Sequence, residues 1–156
     1  MNYVEQVLQP GEKVIYATSL HWLVYLRFIV LLILAGALAY LAVSGVFSEP
    51  AVVWALKAAA AVLFLWAILA GLLALIRRST TELAVTDRRV IFKTGVFQRN
   101  TTEMNLSKVE TVGVNQSILG RILRYGTVTV RGTGGSFEPI PFIGDPLTFR
   151  SHITAG

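Results

Sequence analysis

LAVTDRRVIF, residues Leu83 to Phe92, decides how the second half of this chain is read. Leu83 and Val85 alternate with Glu82, Ala84 and Thr86. Asp87-Arg88 breaks the pattern. Val90 and Phe92 then alternate with Arg89, Ile91 and Lys93 until Gly95. A period of two on both sides of a polar break predicts a β-hairpin with a tight turn. That hairpin begins a few residues after a run too apolar for a soluble domain.

Two such runs precede it. FIVLLILAGALAYLAVSGVF, Phe28 to Phe47, carries no charge over 20 residues, and AAAAVLFLWAILAGLLALI, Ala58 to Ile76, carries none over 19. Each is long enough to cross a hydrocarbon core as a helix. Trp22, Tyr25 and Arg27 stand before the first run in the manner of an interfacial belt, Lys57 opens the second, and Arg77-Arg78 close it. The first run is longer than the apolar part of a signal peptide and its leader has no clear basic character, so an anchor is expected and not a cleaved segment. The loop between the runs has no Lys or Arg over residues 44–52. The positive-inside rule then expects both termini in the cytoplasm of a multi-pass plasma-membrane protein. Small residues four apart, Ala35/Ala39, Ala67/Gly71 and Ala70/Ala74, allow close helix packing, within the hairpin or between copies. Neither apolar core holds Asp, Glu or His, so the helices are expected to anchor and not to conduct.

The charge is uneven. From Arg77 onward there are 11 Lys/Arg against 6 Asp/Glu, an excess equal to the whole chain's +5; the preceding 76 residues have three of each. A basic segment beside a bilayer attracts anionic headgroups at roughly 1 kcal/mol per basic residue near the surface. The same excess also follows from topology alone. There is no cysteine, which excludes disulfides, thiolate metal sites and cysteine nucleophiles.

After Lys93 the short-period pattern predicts strands at Phe97–Asn105, Lys108–Val114, Thr127–Arg131 and Phe137–Phe142. In QSILGRILRYG, Gln116 to Gly126, Ile118, Leu119, Ile122 and Leu123 follow helical spacing. Arg121 and Arg124 lie off that face, on the exposed side, and Gly126 suits the helix end. Asp145 is the expected N-cap and Pro146 the first residue of a terminal helix with Phe149 and Ile153 on one face. The fold class expected is a membrane α-helical hairpin followed by an α+β domain, with a curved antiparallel sheet or partly open barrel and a capping helix. The expected boundaries are a cytoplasmic segment at 1–22, a hairpin at 23–78 and a domain at 79–156. Within the hairpin the helices fall at about 23–47 and 53–76, around an external loop at 48–52.

TDRRVIFKTGVF, NLSKVETVGVNQSILGRILRYGTVTV and IPFIGDP together resemble the bacterial pleckstrin-homology-like domain of the membrane-flanked (YdbS-like) family. The resemblance covers about Thr80 to Ile153, and the PGEKVIYATSLHW start, Pro10 to Trp22, is similar to that family's lead. It implies a pleckstrin-homology-like fold and no particular activity.

Five arginines are candidates for lipid or partner contact. Arg88 and Arg89 sit at the first hairpin, where similar eukaryotic domains hold phosphoinositides, although this turn is too tight to cradle a phosphate cluster. Arg89 is equally suited to pairing across the strand. Arg121 and Arg124 lie on the short helix. Arg131 flanks Gly132–Gly135, which is either an anion-binding nest or a plain hairpin loop. His21 and His152 have no triad or metal-ligand spacing around them, so no catalytic residue, metal or cofactor is expected. Basic and aromatic residues do not interleave, so no nucleic acid is expected. The expectation is a non-enzymatic, membrane-anchored binding or scaffold module that contacts anionic headgroups or a protein partner, including its own copy. The alternative is an accessory subunit of a transporter or envelope-stress system in which the helices are the functional part.

Overall fold

The structure is a computed structural model describing residues 3–95, 100–133, 135–136 and 139–155. The chain divides into two compact units, Trp22–Ile76 and a discontinuous one of Met1–His21 with Arg77–Gly156.

The first unit is a helical hairpin. A 3-10 turn at Trp22–Tyr25 leads into α2, Leu26–Val43, and α3 runs Pro50–Thr80 (α1 lies before them, in the other unit). Both helices are long and apolar enough to cross a membrane. The first ends four residues short of the apolar run, because Ser44 caps it and Gly45 takes a positive φ of 74°. At 1.5 Å per residue α3 is roughly 46 Å long, so it outlasts a hydrocarbon core of about 30 Å. The most buried positions are Ala35 and Ala42 on one helix and Ala60, Ala67 and Ala74 on the other. Those alanines recur every seven residues, and of the pairs four apart read from the sequence Ala67/Gly71 lies in this contact. Seven is the repeat that keeps one seam facing a partner over several turns. Gly71 belongs to the same contact, since a Cβ there would lie 2.9 Å from the Phe28 ring. Arg27 lies over the Trp66 ring at 6.0 Å and Lys57 over Trp54 at 5.1 Å.

The second unit holds α1 (Tyr3–Val7), β1 (Val14–Thr18), β2 (Glu82–Thr86), β3 (Arg89–Thr94) and β4 (Asn100–Asn105). These are followed by β5 (Val109–Asn115), α4 (Ile118–Ile122), β6 (Tyr125–Gly132), β7 (Gly135–Ser136), β8 (Ile140–Gly144) and α5 (Pro146–Thr154). One antiparallel sheet has the order β1-β2-β3-β4; the other joins β5, β6 and β7, with β8 also paired to β6. Val96 to Arg99 and Phe137-Glu138, where two of the expected strands begin, lie outside the described residues. The main core draws Leu83, Val85 and Val90 from the first sheet. The second sheet adds Val112, Val128, Val130, Ile140 and Ile143, and α5 adds Phe149 and Ile153. The hairpin register is as the alternation predicts, with Leu83 opposite Phe92 and Val85 opposite Val90.

Two expectations are corrected. The domain is not complete at 79–156: β1, from the segment before the first apolar helix, is an edge strand of its first sheet. The same segment then crosses to the second sheet, where Leu20 bridges Ile143 and the His21 N–H donates to the Phe142 carbonyl at 2.6 Å. The apolar hairpin is therefore inserted between β1 and β2 of one domain. In addition, β2 has no exposed face over Leu83–Thr86. Leu83 through Thr86 are all buried, because Val4 of α1, with Val7 beside it, covers Ala84 and Ile91 on the side away from the main core.

Candidate functional site at the junction end of the domain

Thr18 pairs with Leu83 at one end of the β1–β2 ladder. The chain runs on from there to His21, where the first apolar helix is about to begin, and arrives through Thr81, where the second has just ended. Both junctions thus lie at one end of the domain. The His21 ring stacks on Tyr125 at 5.6 Å, and Tyr125 on Phe142 at 6.1 Å. Since Tyr125 opens β6 directly after α4, that helix belongs to the junction end too. Burial and the nearby Arg78 charge lower the His21 pKa, against a hydrogen bond to the Leu123 backbone.

α4 is a short turn held at both ends. The Ser117 hydroxyl oxygen accepts the Gly120 N–H at 3.1 Å. The Gln116 side-chain amide donates to the Gly120 and Tyr125 carbonyls at 3.2 and 3.0 Å. Gly120 must be glycine, because a Cβ would lie 2.7 Å from the Tyr125 carbonyl oxygen. The Gln-Ser-x-Leu-Gly-Arg motif is therefore the recipe for this turn. Gly126 does not end the helix as expected. The helix stops at Ile122, Arg124 turns the chain with a φ of 56°, and Gly126 is a buried strand residue pressed against Gln116 and Asn115.

Arg124, Phe142 and Asp145 are the described non-glycine residues with positive φ, and all three are at this end. A left-handed residue with a Cβ costs roughly 1–2 kcal/mol, and such residues gather where a surface is shaped for use. Asp145 precedes α5 as expected but does not cap it through its side chain. It stands at the N-cap position with a left-handed backbone, and its carbonyl accepts the Phe149 N–H at 3.1 Å, but its side chain makes no capping hydrogen bond; its own N–H donates to the Arg124 carbonyl at 2.9 Å.

Between α4 and α5 lies an open cleft of about 680 Å³, lined by Gln116, Arg121, Arg124, Asp145, Leu147 and Arg150 among others. Its three arginines are exposed, and among the described residues none of them is in an ion pair. One carboxylate, Asp145, faces three guanidinium groups, so the lining is cationic. Arg121 and Arg124 were expected here. Arg150 was not, because nothing in the sequence says that the exposed side of α5 meets α4. The apolar face of α4 is exposed as well: Ile118 is 80%, Leu119 63% and Ile122 71% accessible.

The other candidates lie elsewhere. Arg131 is near the far end of β6, six residues or roughly 20 Å from Tyr125 along the strand. Arg88 is exposed on the tight turn after β2, at the opposite end of that strand from Thr81. Arg89 is committed internally, and its reading as a headgroup ligand gives way to a scaffold role. Its side chain is 11% exposed and donates to Glu12 at 2.7 and 2.9 Å, to Glu103 at 2.6 Å and to the Val7 carbonyl at 2.8 Å. Glu12, with no exposed side-chain surface, also takes the Gln9 N–H at 2.8 Å and the Thr86 hydroxyl at 2.7 Å. Burial by itself would raise the Glu12 pKa. The hydrogen bonds from Arg89, Gln9 and Thr86 and the Arg89 charge outweigh it and hold the carboxyl at about 2. The Arg89 pKa is raised by the same contact with Glu12. Glu12 is the residue that sequence reasoning passed over; the signal was a lone acid in a Pro-Gly-Glu turn ahead of a strand.

Among the described residues no group of three or more His, Cys, Asp or Glu is placed to hold a metal. No curated protein and no solved structure matches the chain. The family described as Bacterial PH domain matches residues 15–153, a span that takes in β1, the inserted hairpin and α5. Two antiparallel sheets closed by a C-terminal helix, with the match running across the insertion, carry the conclusion that this chain belongs to the bacterial PH domain family.

Proposed function

We propose that this protein is a non-enzymatic binding module anchored in the bacterial plasma membrane with both termini cytoplasmic, and that its domain reads anionic headgroups of its own membrane. The ligand site is the cleft of Arg121, Arg124 and Arg150. The observation that carries this reading is the convergence of three exposed arginines, from two separate elements, at the end of the domain where both apolar helices join it. Tethering raises the local concentration of headgroups so far that weak contacts suffice. Guanidinium groups suit phosphate, which they bind through paired N–H donors.

The test uses the full chain in nanodiscs of phosphatidylcholine with a minor fraction of phosphatidylglycerol. Trp22, Trp54 and Trp66 serve as energy-transfer donors to a pyrene-tailed form of either lipid. The expected result is a preference for the anionic lipid that fades with salt. It should be largely lost in the triple variant Arg121→Ser/Arg124→Ser/Arg150→Ser and kept in Arg88→Ser and Arg131→Ser. A preference untouched by the triple variant would refute the assignment.

A second reading makes the hairpin the functional part, as an accessory subunit of a transporter or envelope-stress system. It is supported by an apolar groove of about 540 Å³ on the hairpin, lined by Ala35, Gly36, Ala39, Ala60 and Ala61, a surface that suits another helix. Co-purification of a membrane partner that is lost in Gly36→Leu but kept in the arginine variant would favour it.

A further inference from the structure

We infer that the exposed apolar face of α4 (Ile118, Leu119, Ile122 and Leu123, with Leu147 of α5 across the arginine cleft) is a wedge that seats in the interfacial layer of the bilayer that the two apolar helices span. The inference rests on the reading that the domain works at the surface of its own membrane. It adds a second, uncharged contact to the headgroup cleft.

Four observations carry it. The helical spacing that would ordinarily bury these side chains instead exposes them: Leu123 is 38% and Leu147 56% accessible, and the other three more so. In this unit the only other exposed large aliphatics among the described residues are Val14 and Ile15, on β1. The turn that presents them is held by the Gln116 and Ser117 hydrogen bonds and by the close approach at Gly120, so its shape is specified by the sequence. Arg121 and Arg124 alternate with the face in sequence and Arg150 lies across the cleft from them, so apolar and cationic groups stand together, a combination that favours the edge of an anionic bilayer. Finally, the wedge lies at the junction end, where His21 stacks on Tyr125 just past α4. His21 is the last residue before the apolar hairpin, so a patch on this end of the domain is tethered by a short stretch of chain to a segment of membrane-spanning length.

A protein partner fits less well. One helical turn and Leu147 are far short of the ~20 residues a side that a stable protein interface uses. A lipid interface accepts a few inserted side chains, because the two helices already tether the domain to the bilayer.

Since the chain has no cysteine, single ones report cleanly. Leu119→Cys and Ile122→Cys, with Ser107→Cys as an exposed control in the corner before β5, are labelled with an environment-sensitive dye. Each full chain is reconstituted at one copy per nanodisc. Labels at 119 and 122 should emit at shorter wavelength than at 107, lose quenching by aqueous iodide, and be quenched by a lipid carrying a nitroxide near the top of its acyl chain. Iodide quenching at 119 and 122 equal to that at 107 overturns the wedge. So does shielding that appears only when two chains share a disc, since the occupant is then a second copy. Discs of phosphatidylcholine alone separate this inference from the headgroup reading. Shielding there, with no anionic preference in the mixed discs, keeps the wedge and sinks the headgroup cleft. Anionic preference without shielding does the reverse.

Discussion

Replacing Glu12 with alanine tests how the segment ahead of the first apolar helix is fastened to a domain that resumes after the second. The carboxylate accepts from the Gln9 backbone, the Thr86 hydroxyl and two Arg89 nitrogens, all at 2.7–2.9 Å. Breaking a buried ion pair costs about 3–5 kcal/mol because the remaining charge is stranded. Here the loss is smaller. Arg89 keeps Glu103 and the Val7 carbonyl, and the Thr86 hydroxyl lies 3.0 Å from the Arg89 carbonyl, to which it can turn. We expect about 2–4 kcal/mol, a large share of the stability of a domain this size. Tryptophan fluorescence would miss it, because Trp22, Trp54 and Trp66 all lie in the hairpin unit. Amide hydrogen exchange in the reconstituted full chain reads it directly. Protection of β1 and β2 should fall roughly 30- to 700-fold, at about 1.4 kcal/mol per decade. Protection within threefold of the parent would refute the argument that this network clasps the segment, and would leave β1 held by its ladder bonds alone. Glu103→Ala should cost about 1 kcal/mol or less, since that partner is 35% exposed.

The same clasp sets a pH dependence. The Glu12 carboxyl is lowered from 4.5 to about 2, so its contribution is fully present above pH 4.5 and is lost as the pH falls from there towards 2. The protection of β1, taken against unfolded-chain exchange at the same pH, should fall across that window, and in Glu12→Gln this dependence should be absent. Gly132→Ala should destabilise the domain by more than about 2 kcal/mol, because the added Cβ meets the Lys108 carbonyl and the Met104 sulfur; exchange in β5 and β6 measures it. Ala67→Leu should force the two apolar helices apart at a fully buried position, lowering the thermal midpoint seen by the three tryptophans while β1 and β2 keep their protection.

Much of the fold was legible because its signals are local. LAVTDRRVIF gives its hairpin by alternation, and the observed pairs Leu83–Phe92 and Val85–Val90 follow from it. Phe149 and Ile153 announce the buried face of α5 by their spacing, and both are core residues. The misses share one cause. Val4 covering Ala84, Glu12 reaching Arg89, and β1 pairing with β2 all join residues separated by the whole inserted hairpin, and no periodicity spans that distance. The seven-residue seam of the hairpin was hidden differently, since in an alanine-rich helix almost any small-residue spacing can be found.

For the candidate site, the sequence alone determined that Arg121 lies on a short helix with apolar neighbours at helical spacing, because residue type and helical period are properties of a single segment, whereas Arg124, read onto the same helix, stands in the turn after it. The sequence also determined two membrane-length apolar runs and a basic domain after them. Only the tertiary structure decided that the apolar face of α4 is left open, that Arg150 joins the two arginines across a cleft, that Arg131 stands apart, and that Arg89 is spent on Glu12. Exposure and charge pairing depend on what packs against a residue from elsewhere in the chain. That is settled when β1 and α5 come back across the insertion to complete the sheets and the core.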